Sequence, residues 1–84
     1  MLEHEVTITN ATGLHAHASA KLVQILGSFK SQVTLVGKGR EVNAKSIMGV
    51  MLLAAGPGTV LKVRANGEDE VEALRVVQQF FAEM

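Results

Sequence analysis

Apolar and polar side chains alternate at the start of the chain, with Leu2, Val6 and Ile8 set against Glu3, Glu5, Thr7 and Thr9. A period of two places one set on each side of a pleated strand, so a half-buried strand is expected. Asn10-Ala11-Thr12-Gly13 closes it as a turn. From Ala16 to Gly27 the pattern changes: there is no proline, Ala, Leu, Lys and Gln are frequent, and Leu22, Ile25, Leu26 and Phe29 recur at helical spacing. Gly27 suits the C-terminal cap of that helix. Gln32 to Val36 and Arg40 to Asn43 are short β-prone runs flanking Gly37-Lys38-Gly39, which reads as a hairpin. Ser46 stands before a short helix, Ile47 to Leu53, ended by Gly56-Pro57-Gly58. Thr59 to Ala65 alternates again, with Leu61, Val63 and Ala65 opposite Lys62 and Arg64, and Asn66-Gly67 turns the chain. Glu68, Asp69, Glu70 and Glu72 crowd the start of a last helix, where acids complement the dipole, and Val71, Leu74, Val77 and Phe81 give it an apolar face.

The order is β-α-β-β-α-β-α. So short a chain with four strands and three helices implies an α+β fold, a four-stranded antiparallel sheet with the helices on one face and the other face wet. Residues 1–84 read as a single domain without repeats, linkers or low-complexity segments. The Gly-x-Gly at residues 37–39 is a turn and not a dinucleotide fingerprint, because no third glycine or helix follows it.

Composition narrows the function classes. A chain of 84 residues buries only somewhat more than ~60% of its unfolded surface, which leaves little room for a deep cleft beside the core. Function is therefore expected at loops and element ends. With no cysteine, neither a disulfide framework nor a thiolate metal site can form. The first residues, Met-Leu-Glu-His-Glu, are acidic and alternating, unlike a signal peptide, and no apolar run approaches a membrane span. A soluble, cytoplasmic protein without membrane insertion is expected. Net charge is zero but unevenly spread: residues 12–64 carry seven basic side chains against the single acid Glu41. Nucleic acid is a poor partner, since there is no Trp or Tyr and no dense Lys/Arg cluster.

The chemistry concentrates at His15, in Gly13-Leu14-His15-Ala16-His17-Ala18-Ser19-Ala20-Lys21. It follows a bend and precedes a helix, so its ring would sit where the first helix amides, Ala16 and His17 among them, lack intrahelical partners. Those amides and the positive end of the macrodipole bind anions. An ordinary imidazole titrates near ~6.5 and this position disfavours its cation, so a neutral, nucleophilic ring is expected at pH 7. Phosphoryl transfer depends on positioning and charge stabilisation, which a small protein can supply. His17 also suggests a metal site, but His4 lies on another element, no acid is near in sequence, and residues two apart on a helix face different ways. No metal and no other cofactor is expected; His17 is assigned a supporting role beside a phosphorylated His15. Ser46 is a favoured N-cap, and a phosphate there would add roughly two negative charges beside free amides, with Lys45 adjacent. Ile47, Met48 and Met51 cannot all point inward on so short a helix, and an exposed Met-rich patch suits partner docking.

Two motifs, Gly13-Leu14-His15-Ala16-x-Ala18-Ser19-Ala20 and Asn43-Ala44-Lys45-Ser46-Ile47-Met48-Gly49-Val50-Met51, resemble those of the HPr family, the histidine-containing phosphocarriers of the bacterial phosphotransferase system. The resemblance covers essentially the whole chain. It implies an open-faced β-sandwich that agrees with the pattern reading. It also implies that Nδ1 of His15 takes a phosphoryl group from phosphoenolpyruvate by way of enzyme I. The group then passes to a sugar-specific IIA domain or a nitrogen-branch counterpart. Ser46 matches the residue modified by HPr kinase/phosphorylase in the family, an event that opposes phosphorylation of the histidine. A monomeric carrier without independent turnover is implied. The chain departs from the family at His17, where arginine is usual, and at Ala18, where many members have proline. Arginine is permanently charged and planar, whereas histidine carries a pH-dependent charge on a shorter side chain. The alternatives to a carrier are a regulatory binding module governed by Ser46, with a weakened His15 relay, and an independent small enzyme. The enzyme lacks support, because too few ionisable groups gather near His15 in sequence.

Overall fold

The strands and helices follow the chain in the order the pattern predicts. The structure is a computed structural model that describes residues 1–53 and 55–83. The expected domain also includes Ala54 and Met84, which lie outside the described residues. The elements are β1 (Leu2–Thr7), α1 (Ala16–Leu26), β2 (Gln32–Gly37), β3 (Arg40–Asn43), α2 (Ile47–Leu53), β4 (Val60–Asn66) and α3 (Glu70–Ala82). The strands form one antiparallel sheet in the order β1-β4-β2-β3.

Register decides which side chains meet the helices. His4, Val63, Leu35 and Val42 stand in one cross-strand row, and Val6 pairs with Leu61. This row faces α3, α2 and α1, and Leu22, Leu26, Leu35, Val63, Val77 and Phe81 are buried between sheet and helices. Each such side chain stabilises the fold by ~1.5–3 kcal/mol relative to leaving it in water. The opposite rows carry Glu3, Arg64, Thr34 and Asn43 on the open face. There Arg64 donates to Glu3 (2.7 Å) and to Glu41 (3.2 Å), tying three strands together in solvent. The Arg64 hydrogen bond holds the Glu3 carboxyl below its ordinary value.

One local expectation is corrected, and one holds in a different backbone form. Val71 is 69% exposed, and the stripe that α3 buries is Ala73, Leu74, Val77 and Phe81. At ~100° per residue, Val71 lies roughly 100° round the helix from the centre of that stripe. Gly27 does cap α1, but in right-handed backbone (φ −61°), its N–H donating to Val23 and Gln24 carbonyls. The turn simply tightens onto Phe29, whose N–H reaches the Leu26 carbonyl at 3.1 Å, so no left-handed residue is needed.

Candidate functional site

The loop that carries His15 is built from backbone outward. Gly13 has φ +67°, and a Cβ there would lie 2.6 Å from the Ala55 carbonyl oxygen and 2.8 Å from Gly56 Cα. Only glycine meets both demands, the left-handed backbone and the close approach. The Leu14 N–H then donates to the Ala55 carbonyl at 2.8 Å, and the Leu14 side chain is buried. Asn10 Nδ2 donates to the Gly13 carbonyl and to Thr12 Oγ1, both at 3.0 Å, closing the turn from the other side. Gly58 and Thr59 are bonded back to Ile8, so the loop before α1 and the loop before β4 brace each other.

His15 emerges from this brace as the N-cap of α1, with extended backbone (φ −86°, ψ −178°) and an exposed ring. The first helical bond runs from the Ser19 N–H to the His15 carbonyl at 2.8 Å. The amides of Ala16, His17 and Ala18, which directly follow His15 in the chain, therefore have no intrahelical acceptor. His15 makes no side-chain cap bond that would occupy them. An anion bonded to the ring would find the positive end of an 11-residue helix beside it.

His17 lies closer to His15 than helical rotation suggests. The two rings are near-parallel, 18° apart in plane, with centroids separated by 6.3 Å. The expectation that they face apart fails because His15 is the cap and stands outside the helical turn. Among the described residues no group of three or more His, Cys, Asp or Glu gathers to hold a metal ion. Both imidazoles instead line a groove of about 430 Å³ between α1 and α3, with Lys21, Ile25, Phe80 and Glu83. Lys21 follows His17 by one helical turn, but Phe80 and Glu83 come from the far end of the chain, and no local sequence signal ties them to His15.

The second motif is also organised around a cap. Ser46 Oγ accepts the Gly49 N–H at 3.2 Å, and its own N–H reaches the Asn43 carbonyl at 3.0 Å. Asn43 Oδ1 accepts the Lys45 N–H at 2.9 Å. The Lys45 ammonium turns away from Ser46 to the Phe29 carbonyl and fastens α2 to the end of α1. Ile47, Met48 and Met51 are exposed, Met48 by 74%. Leu52, which the pattern reading did not single out, joins them and is exposed by 61%. Its carbonyl accepts Arg40 Nη1 at 2.6 Å. The apolar run Met51-Leu52-Leu53 could not reveal which members face out, since only Leu53 is buried.

Comparison with known proteins agrees with this geometry. The family described as PTS HPr component phosphorylation site matches residues 2–83. The chain is 63% identical over 81 residues to the phosphocarrier protein HPr of Xylella fastidiosa (strain Temecula1), covering 96% of this chain and 91% of that protein. It is 43% identical over 83 residues to the HPr-like protein Crh of Bacillus subtilis, covering 99% and 98% respectively. The crystal structure of HPr from Thermoanaerobacter tengcongensis superposes with a TM-score of 0.94 at 41% identity, covering 99% of this chain and 93% of that one. A match that runs through both motifs and nearly the full length of each relative places this chain in the HPr family, whose members are phosphocarrier components of the phosphotransferase system and not independent enzymes.

Proposed function

We propose that His15 accepts a phosphoryl group from phosphorylated enzyme I and delivers it to a IIA-type component of a sugar or nitrogen branch. The carrying observation is the exposed His15 at the cap of α1, followed directly by the amides of Ala16 and His17, which have no intrahelical partner. The unprotonated ring nitrogen attacks the donor's phosphorus, and the donor keeps the electron pair of the bond that breaks. The helix end then helps to stabilise the transferred charge. Partners reach the site over the neighbouring apolar surface of Ile47, Met48, Met51 and Leu52, beside Lys45. The carrier works as a monomer in the cytoplasm, with this surface kept for partners. Incubation with phosphoenolpyruvate and enzyme I adds one acid-labile phosphate to the protein, and His15→Ala removes it. A His15→Ala variant that still gains that phosphate overturns the assignment.

Ser46 supports a second, regulatory layer. Its hydroxyl is half-buried at the start of α2 and is followed directly by exposed Ile47 and Met48. Phosphorylation there by an HPr kinase/phosphorylase places about two negative charges at the edge of the docking surface, opposing carrier partners and favouring regulatory ones. If regulation is the main role, treatment with such a kinase yields an acid-stable phosphate on Ser46 while His15 stays inert to enzyme I.

A further inference from the structure

His17 shares its groove with His15, and nothing in the carrier chemistry above uses it beyond its backbone amide. Its ring lies near-parallel to that of His15 with centroids 6.3 Å apart. The charged and titratable groups that share the groove are His15 itself, Lys21 from α1 and Glu83 from α3, with Asn10 and Gln79 as neutral polar neighbours. A phosphoryl group on His15 puts a near-dianion within several ångströms of the exposed His17 imidazole and favours its protonated form.

We propose that His17 is a positioning residue that takes up a proton when His15 is phosphorylated and releases it when the group is passed on, so that transfer is linked to pH. The inference rests on the carrier role of His15. On arrival, the N–P bond forms at His15 as the donor's bond to phosphorus breaks, and His17 binds one proton from solvent. The resulting imidazolium pairs with the phosphoryl oxygens. On delivery to the acceptor the proton returns to solvent. Two negative charges at about 6 Å in a water-like dielectric raise the protonation midpoint of His17 by roughly one pH unit. The sign follows directly: the phosphorylated form binds the proton more tightly, so falling pH favours phosphorylated His15 and rising pH favours delivery. Across the window between the two midpoints, the transfer equilibrium shifts by up to about tenfold.

The test is an NMR titration of the His17 ring nitrogens in the free protein and in protein phosphorylated by enzyme I and phosphoenolpyruvate. The expected result is a midpoint about one pH unit higher in the phosphorylated form. In parallel, the pH dependence of the transfer equilibrium is measured for the wild type and for His17→Arg, whose charge is fixed. The variant is expected to lose the part of the pH dependence that crosses neutrality. A His17 midpoint unmoved on fully phosphorylated protein, or identical pH profiles for the two proteins, overturns the proposal. A sample that gains no phosphate on His15 overturns instead the carrier reading beneath it.

Discussion

Asp69 stands at the cap position of α3, yet its carboxylate makes no cap bond. It accepts instead the backbone N–H groups of Lys30 and Ser31, each at 2.9 Å, and the buried Ser31 hydroxyl. These donors, the Ser31 hydroxyl foremost, hold Asp69 at about 2, well below its ordinary 3.8. Because the folded value is the lower one, the stabilisation is present above the unfolded value and fades as pH falls through the folded one, between about 4 and 2. Asp69→Asn is expected to lower the urea midpoint at neutral pH and to flatten the acid dependence in that window. Parallel stability–pH curves for variant and wild type would remove Asp69 from the account. The run Glu68-Asp69-Glu70 showed that acids belong at a helix start, but it could not show that one of them reaches thirty-eight residues back to Ser31. Ser19 is the converse case. Its hydroxyl is fully buried in α1 and has no partner among the described residues, although Ala18-Ser19-Ala20 reads as an ordinary helical run.

Among the elements, the entry to α1 depends on one backbone conformation. Gly13→Ala would need a left-handed alanine and would drive a methyl group into the Ala55 carbonyl, contacts that cannot both relax while Leu14 stays bonded there. The expected cost is about 2 kcal/mol or more. Thermal unfolding checks it, together with a slower phosphorylation of His15 as the cap shifts. A variant with wild-type melting would mean that the loop yields without strain. The turn itself was legible from Asn10-Ala11-Thr12-Gly13. The partner it leans on was not, since the brace comes from Ala55 and Gly56, more than forty residues away. Helix α3 shows the same limit, as the pattern located the helix but placed Val71 on the wrong side.

Seen as a whole molecule, the fold gathers its helices on one sheet face and leaves exposed apolar groups concentrated on α2, near the loop that presents His15. Helices α1 and α2 are packed against each other. The 74% exposed Met48 therefore contributes little to the core. Met48→Ala is expected to change stability by no more than ~0.5 kcal/mol. It should nevertheless raise the concentration of carrier needed to saturate phosphorylation by enzyme I. Unchanged saturation in a stably folded Met48→Ala protein would exclude that side chain from docking. No helix among the described residues is long and apolar enough to cross a membrane.

By itself the sequence determined the number, kind and order of the elements, the turns between them, and the two short motifs that mark His15 and Ser46. These depend on local periodicity, backbone allowance and capping, all of which act between near neighbours. Only the tertiary structure decided that Ala55 and Gly56 brace the His15 loop, that Glu83 and Phe80 complete its groove, that His17 stands beside His15, and that Lys45 turns to Phe29. The His15–His17 pairing depends on His15 standing outside the helix as its cap; the others are contacts between segments distant in sequence, fixed by how the loops and helices settle on the sheet, which a local pattern does not record.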